Sequence, residues 1–331
     1  MPMMQTRRDF LCVLSAGAAG LFGTERALAA DGPPEIAALR FVKSPASCVA
    51  PQYVGEELLR AEGFTEIGYV TVKTGDEFSS MLAQGRADFT ITFALDLIST
   101  IEAGAPLVML AGIHIGCYEL FAREGIRSVA ELKGKTVGLQ TASPALLTLM
   151  AANVGLDPQK DIHWVTHPAL QPLELFAERK IDAFLGFPPE PQELRARRAG
   201  HVIVSTTLDR PWSQYFCCML GCRRDFAGKY PGATKRVLRA VLKATDWCAS
   251  DSAAVARRMV DRGFTSRYDY AEQTVREVPY DKWRDYDPAD SLRFYALRMR
   301  EAGLIKATPQ KILAENTDWR FLDEVKREWK T

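Results

Sequence analysis

The sequence predicts an α/β protein of two similar lobes with a helical C-terminal part, and three observations predict it. From Glu35 onward, short apolar runs alternate with amphipathic stretches of about ten to fifteen residues, the pattern of βα units around a mostly parallel sheet. Segment 82–93 overlays segment 176–187 at a constant offset of 94, so that Ala83, Asp88 and Phe93 recur as Ala177, Asp182 and Phe187. After Arg223 the strand-like runs cease and only helical periodicity remains.

The first thirty residues stand apart. Arg7-Arg8-Asp9-Phe10-Leu11 leads into an apolar stretch ending at Phe22 and then into Ala27-Leu28-Ala29, which reads as an export signal cleaved after Ala29. The apolar stretch is shorter than the roughly 20 residues of a membrane span. Its paired arginines followed by Phe-Leu resemble a twin-arginine signal, which would deliver the folded chain to the periplasm. Removing residues 1–29 leaves a formally neutral chain with six cysteines, too few over this length for a disulfide scaffold.

Strand-like runs follow at residues 36–42, 67–72, 89–93, 107–115, 136–139, 162–166, 183–187, 202–205 and 216–221. Pro51 suits the first turn of a helix carrying Val54, Leu58 and Leu59, and Pro144 the first turn of one carrying Leu146, Leu147 and Met150. The helical part is expected over 233–246, 252–262, 270–278, 291–301 and 319–329. With 331 residues, 47% apolar, and 42 basic against 41 acidic side chains, the chain has no charge excess to attract nucleic acid or an anionic membrane.

Ligands of open α/β sheets sit beyond the carboxyl ends of the strands, and two facing lobes enclose a crevice there. The first lobe should contribute Ser44 and Ser47 after its first strand, Thr74 and Asp76 after its second, then Phe93, His114 and Tyr118. The second lobe should contribute Gln140, Thr141, Ser143 and His167, and Phe187 with Glu190. The loop before Pro144 offers free N–H groups and a positive helix end to an anion or carbonyl, and reads equally as an ordinary Ser cap. Phe93, Tyr118, Phe187, Trp212 and Tyr215 can sandwich a planar ring; equally, Phe93 and Phe187 can plug strand ends and Trp212 can pack a hinge. His114 can donate to a ligand and Glu190 can meet an ammonium, or both can serve the fold.

Catalytic signatures are absent: there is no Gly-x-Ser-x-Gly, His-Glu-x-x-His, phosphate-binding Gly-x-x-x-x-Gly-Lys or dinucleotide Gly-x-Gly-x-x-Gly. Cys217, Cys218 and Cys222 are the one group that suggests metal chemistry. On an extended strand Cys217 and Cys218 point to opposite faces, and Cys218 and Cys222 stand about 13 Å apart, beyond one ion. The expectation is therefore small apolar cysteines, no metal and no cofactor.

Five motifs carry a resemblance to a known family: Gly85-Arg86-Ala87-Asp88-Phe89, Ala103-Gly104-Ala105-Pro106-Leu107, Leu132-Lys133-Gly134-Lys135-Thr136-Val137-Gly138, Asn153-Val154-Gly155-Leu156-Asp157 and Lys180-Ile181-Asp182-Ala183. In order and spacing the chain resembles the solute-binding proteins of ABC importers in the nitrate/taurine/sulfonate group, a domain similar to that of fungal pyrimidine-synthesis proteins. The resemblance implies an α/β, two-lobe periplasmic-binding-protein fold of type II, the Venus flytrap. Residues 36–121 and 216–331 would form the first lobe and residues 122–215 an inserted second lobe. It implies a monomeric, non-enzymatic protein that captures a small organic solute, planar or heterocyclic or a small organic anion, and delivers it to an ABC permease. An arginine clamp like that of sulfonate binders is missing from the cleft loops, Arg210 being the nearest candidate. The alternatives are a metal-dependent enzyme on the same fold, using the Cys217, Cys218 and Cys222 group, and the sensing module of an exported regulator.

Overall fold

The computed structural model describes residues 32–72, 78–139, 144–166 and 170–330. Among them ten strands are found: β1 (Ala38–Lys43), β2 (Glu66–Thr71), β3 (Phe89–Phe93), β4 (Leu107–Ile115), β5 (Glu119–Ala122), β6 (Lys135–Leu139), β7 (Ile162–Val165), β8 (Ala183–Gly186), β9 (His201–Ser205) and β10 (Phe216–Arg223). They make two sheets, ordered β2-β1-β3-β10-β4 and β7-β6-β8-β5-β9. Pairs β1·β2, β1·β3, β6·β7 and β6·β8 are parallel, while β10 and β5 each run antiparallel to both neighbours. The two sheets therefore match position by position. The α/β fold with a helical C-terminal part is the one the sequence predicts.

The offset-94 repeat has a mechanical meaning. Asp88 receives the Arg40 N–H on its carboxylate at 3.0 Å and donates its own N–H to the Arg40 carbonyl at 2.8 Å. Asp182 does the same to Thr136, at 2.8 and 2.9 Å. Its carbonyl also accepts the Arg123 N–H, as that of Asp88 accepts the Arg223 N–H. In each lobe one carboxylate thus sets the register of the central parallel pair, β1·β3 in one and β6·β8 in the other. Such clasps satisfy strand-end groups that would otherwise be costly to bury.

Strand β5 is the element the sequence reading missed. Only three residues separate it from β4, so its four residues merge with the preceding apolar run and carry no period of their own. Because β5 pairs with β8 and β9, residues 119–121 belong to the second sheet rather than to the first lobe, and the outgoing crossover is Gly116 to Tyr118. The return crossover runs from Thr206 to Tyr215. A helix at Pro309–Asn316, started by the Thr308 side chain on the Lys311 N–H, was also not anticipated.

Strands β3 and β4 are buried along their whole length, as expected for sheet strands covered on both faces. The 20-residue helix Pro231–Ser250 packs on helices Ala50–Val54, Glu56–Ala61 and Arg320–Glu328. The C-terminal helices therefore complete the first lobe, although Pro288–Glu301 also reaches helix Ala145–Asn153 of the second.

Candidate functional site

The two crossovers lie side by side. Tyr118 donates its N–H to the Thr206 hydroxyl at 2.9 Å, and its carbonyl accepts the Thr206 N–H at 2.9 Å. Gly116 has φ +58°, and a Cβ there would stand 2.4 Å from the Thr207 Cα, so both its conformation and its close approach require glycine.

Beside the crossovers the lobes meet at a cleft whose described lining includes Phe93, Asp96, Tyr118, Leu139, Leu146 and Leu185. The space enclosed there is about 10 Å³, near the size of one water, so a larger solute requires the lobes to part. Phe93 and Phe187 do not touch face to face. Tyr118 stands between them, its ring centroid 5.0 Å from Phe93 and 5.8 Å from Phe187. Phe93 is 8% exposed and also rests edge-on against Tyr295, whereas Phe187 is only half-buried.

The remaining sequence-derived candidates divide. Thr74, Asp76, Gln140, Thr141, Ser143 and His167 lie outside the described residues. Ser44 is buried in its own loop, its N–H on the Tyr53 hydroxyl and its Oγ accepting the Ala46 N–H. Ser47 is also buried; it bonds Thr274 and donates its N–H across the lobes to the Pro188 carbonyl at 3.0 Å. His114 is fully buried in β4 against Tyr280 rather than facing the cleft. Trp212 packs on Phe294 in a separate hollow formed with Leu149 and Arg298, the hinge-packing role rather than a cleft wall. Tyr215 stacks on Phe294 at 3.9 Å.

Asp96 was missed, although the offset of 94 that aligns Phe93 with Phe187 also aligns Asp96 with Glu190. Each lobe therefore carries a Phe followed by an acid at the same strand-to-helix turn. Asp96 lies in the first turn of helix Ala94–Glu102 and faces the cleft. Glu190 instead turns back onto its own loop, where its carboxylate accepts the Phe187 N–H at 3.0 Å. Burial pushes the Glu190 carboxyl up to about 8, against the opposing pull of that hydrogen bond. The described cleft lining holds this one acid and no basic side chain.

The cysteines are also redistributed. Cys222 is separate, its thiol directed at the Arg223 carbonyl, while Cys217 and Cys218 gather with Cys48, Cys117 and His114. All of these side chains are buried.

A second contact joins the lobes. Glu277, ending helix Tyr268–Glu277 of the first lobe, accepts from Gln192 at 3.1 Å and from Arg195, both on helix Glu190–Ala196 of the second. Arg195 also pairs with Glu119. Half-exposed ion pairs are worth about 0.2–1 kcal/mol. Glu277→Gln is expected to loosen closure, lowering solute affinity about 1.5- to 5-fold with no loss of thermal stability. Titration of solute into the variant checks this, and an unchanged affinity would show that the contact does not hold the closed form.

Two matched α/β sheets joined by paired crossovers, with an aromatic cleft between them, define the two-lobe periplasmic-binding-protein fold. The NMT1-like family matches residues 34–262, and the chain belongs to it. The periplasmic nitrate-binding protein NrtA from Synechocystis is similar in structure, with a TM-score of 0.75 at 16% identity, over 89% of this chain and 90% of that one. The alkanesulfonate-binding protein SsuA from Xanthomonas axonopodis pv. citri, bound to MOPS, has a TM-score of 0.68 at 18% identity, over 84% and 96%. In sequence the chain is 29% identical over 112 residues to the bicarbonate-binding protein CmpA of Synechococcus, a match covering 33% of this chain and about a quarter, 24%, of that relative. Among the described residues no helix is long and apolar enough to cross a membrane.

Proposed function

We propose that this chain is the solute-binding component of an ABC importer, exported to the periplasm, which closes its two lobes over a small organic molecule and presents it to a membrane permease. The observation that carries the reading is the cleft beside the two crossovers, lined by Phe93 and Tyr118 and flanked by Phe187. Relatives named for nitrate, bicarbonate and alkanesulfonate support the transport role. The lining differs from what a small inorganic anion calls for, since its described charge is the carboxylate of Asp96. A planar solute with hydrogen-bond donors suits aromatic faces and an acid better than a bare anion does. Mechanically, contacts made only in the closed form shift the population toward it, and the crossovers act as hinges. The protein works as a monomer and without catalysis.

Mass spectrometry of solute retained through gentle purification tests the reading. A planar organic molecule at near-stoichiometric amount supports it; nitrate, bicarbonate or a sulfonate as the retained solute would overturn the assignment of solute class. The export route has its own test. Replacing Arg7 and Arg8 together by Lys is expected to leave unprocessed protein in the cytoplasm, and an unchanged periplasmic yield would exclude the twin-arginine route.

A further inference from the structure

We propose that His114, Cys117 and Cys218, with Cys48 or Cys217 as the fourth ligand, form a binding site for one thiophilic cation of the Zn²⁺ or Cu⁺ class, which ties the two crossovers together. Two groups, Cys48–His114–Cys117 and His114–Cys217–Cys218, each hold their ligand atoms within 4.8 Å of one another. The Sγ atoms of Cys117 and Cys217 are 3.5 Å apart, and Cys48 and Cys218 also contact Cys117 through their thiols. Around a tetrahedral ion with bonds of about 2.3 Å, sulfur ligands stand roughly 3.8 Å apart, so the cluster needs little movement. Sulfur and imidazole select soft or borderline cations over Mg²⁺ and Ca²⁺.

The histidine provides an independent sign. Its Nδ1 faces the Ile115 carbonyl at 3.2 Å, an acceptor to which only a protonated Nδ1 can bond. Its Nε2 is buried and has no hydrogen-bond partner among the described residues. A ligating imidazole has this arrangement: one nitrogen donates to a carbonyl while the other keeps its lone pair for the ion. An orphaned buried acceptor is otherwise costly.

The position suggests a purpose. Cys117 sits in the outgoing crossover at φ +121°, a conformation rare for any residue with a side chain. Cys217 is the second residue of the strand that follows the return crossover, and Cys48 belongs to the turn Ser47–Val49 whose Ser47 N–H reaches Pro188 of the other lobe. An ion held by Cys117 and Cys218 would pin the outgoing crossover to the strand that follows the return crossover and restrict the hinge. Cys117 also borders an inter-lobe pocket of about 370 Å³ with Glu119, Gln192 and Arg195, which supplies an access route. On binding, each ligating thiol releases its proton to solvent, and nothing is oxidised or reduced. The inference departs from the expectation of structural cysteines, which grouped Cys222 in place of Cys48 and Cys117, and it does not depend on the proposed transport role.

The test titrates Zn²⁺ into the reduced, chelator-stripped full chain under anaerobic conditions, with Co²⁺ as a spectroscopic probe. One equivalent of Zn²⁺ and sulfur-to-cobalt charge-transfer bands are expected. Cys218→Ser and His114→Phe should each weaken Zn²⁺ binding by about 100-fold or more, whereas Cys222→Ser, on the same strand but outside the cluster, should bind as the parent does. Circular dichroism confirms folding, and if His114→Phe does not fold, Cys218→Ser decides alone. Absence of stoichiometric uptake, equal uptake by Cys218→Ser, or a cobalt spectrum without sulfur bands would overturn the proposal. So would a Cys117–Cys217 disulfide whose reduction does not restore Zn²⁺ uptake.

Discussion

Phe187→Ala is expected to weaken binding of the retained solute about 5- to 150-fold, the equivalent of roughly 1–3 kcal/mol for removing one buried ring. The melting temperature of the solute-free protein should change little, because Phe187 is only half-buried and its ring meets that of Tyr118 at the edge of the cleft. Phe93→Ala should behave differently. That ring is 8% exposed and held between Tyr118 and Tyr295, so its loss is expected to cost folding stability as well, up to about 3–5 kcal/mol. The expectation from sequence treats the two rings as equivalent; packing makes one a cleft wall backed by the core and the other a movable face. Calorimetry with and without solute on both variants checks this. Unchanged affinity in Phe187→Ala, with a large drop in melting temperature, would reduce that ring to a strand-end plug.

The second large effect concerns pH. The Glu190 carboxyl is pushed from an ordinary 4.5 up to about 8 by burial in the folded protein. Its contribution to stability is full below about 4.5, where both folded and unfolded chains hold the proton. Between about 4.5 and 8 the folded chain keeps a proton that the unfolded chain releases, so stability falls as pH rises through that window, by up to about 5 kcal/mol. Glu190→Gln keeps the shape and can still accept the Phe187 N–H, but has nothing to titrate. The variant should match the parent near pH 4.5 and exceed it increasingly toward pH 8.5. Denaturant unfolding across that range is the measurement, and parallel curves for the two proteins would mean that Glu190 is solvated in the folded state.

Much of the fold was legible because it is written in short-range patterns. Phe89–Phe93 places an apolar residue at every second position, and Leu107–Ile115 is apolar but for His114, each over the length of a buried strand. The offset of 94 was readable for the same reason, since each copy is one helix-turn-strand unit whose residues Asp88 and Asp182 act on the strand beside them. Strand β5 escaped because four residues with one charge, set close behind β4, hold too little pattern to stand out.

The site was less legible. Position at a strand end singled out Phe93, Tyr118 and Phe187, whose rings the structure places in a row, but it could not say that Ser44 and His114 are turned into the protein, or that Glu190 closes its own loop while Asp96 faces the cleft. Those outcomes depend on which way a side chain leaves the backbone and on what packs over it.

By itself, then, the sequence determined the α/β elements, the two-lobe repeat and the helical C-terminal part, because hydrophobic periodicity and turn chemistry act over a few residues. Only the tertiary structure decided that Cys117 and Cys217, a hundred residues apart, bring their sulfurs to 3.5 Å beside His114, and that Cys222 on the same strand stays away. The physical reason is that the two crossovers lie side by side only after both sheets have formed. The contacts between them are fixed by long-range closure of the chain, which no local spacing encodes.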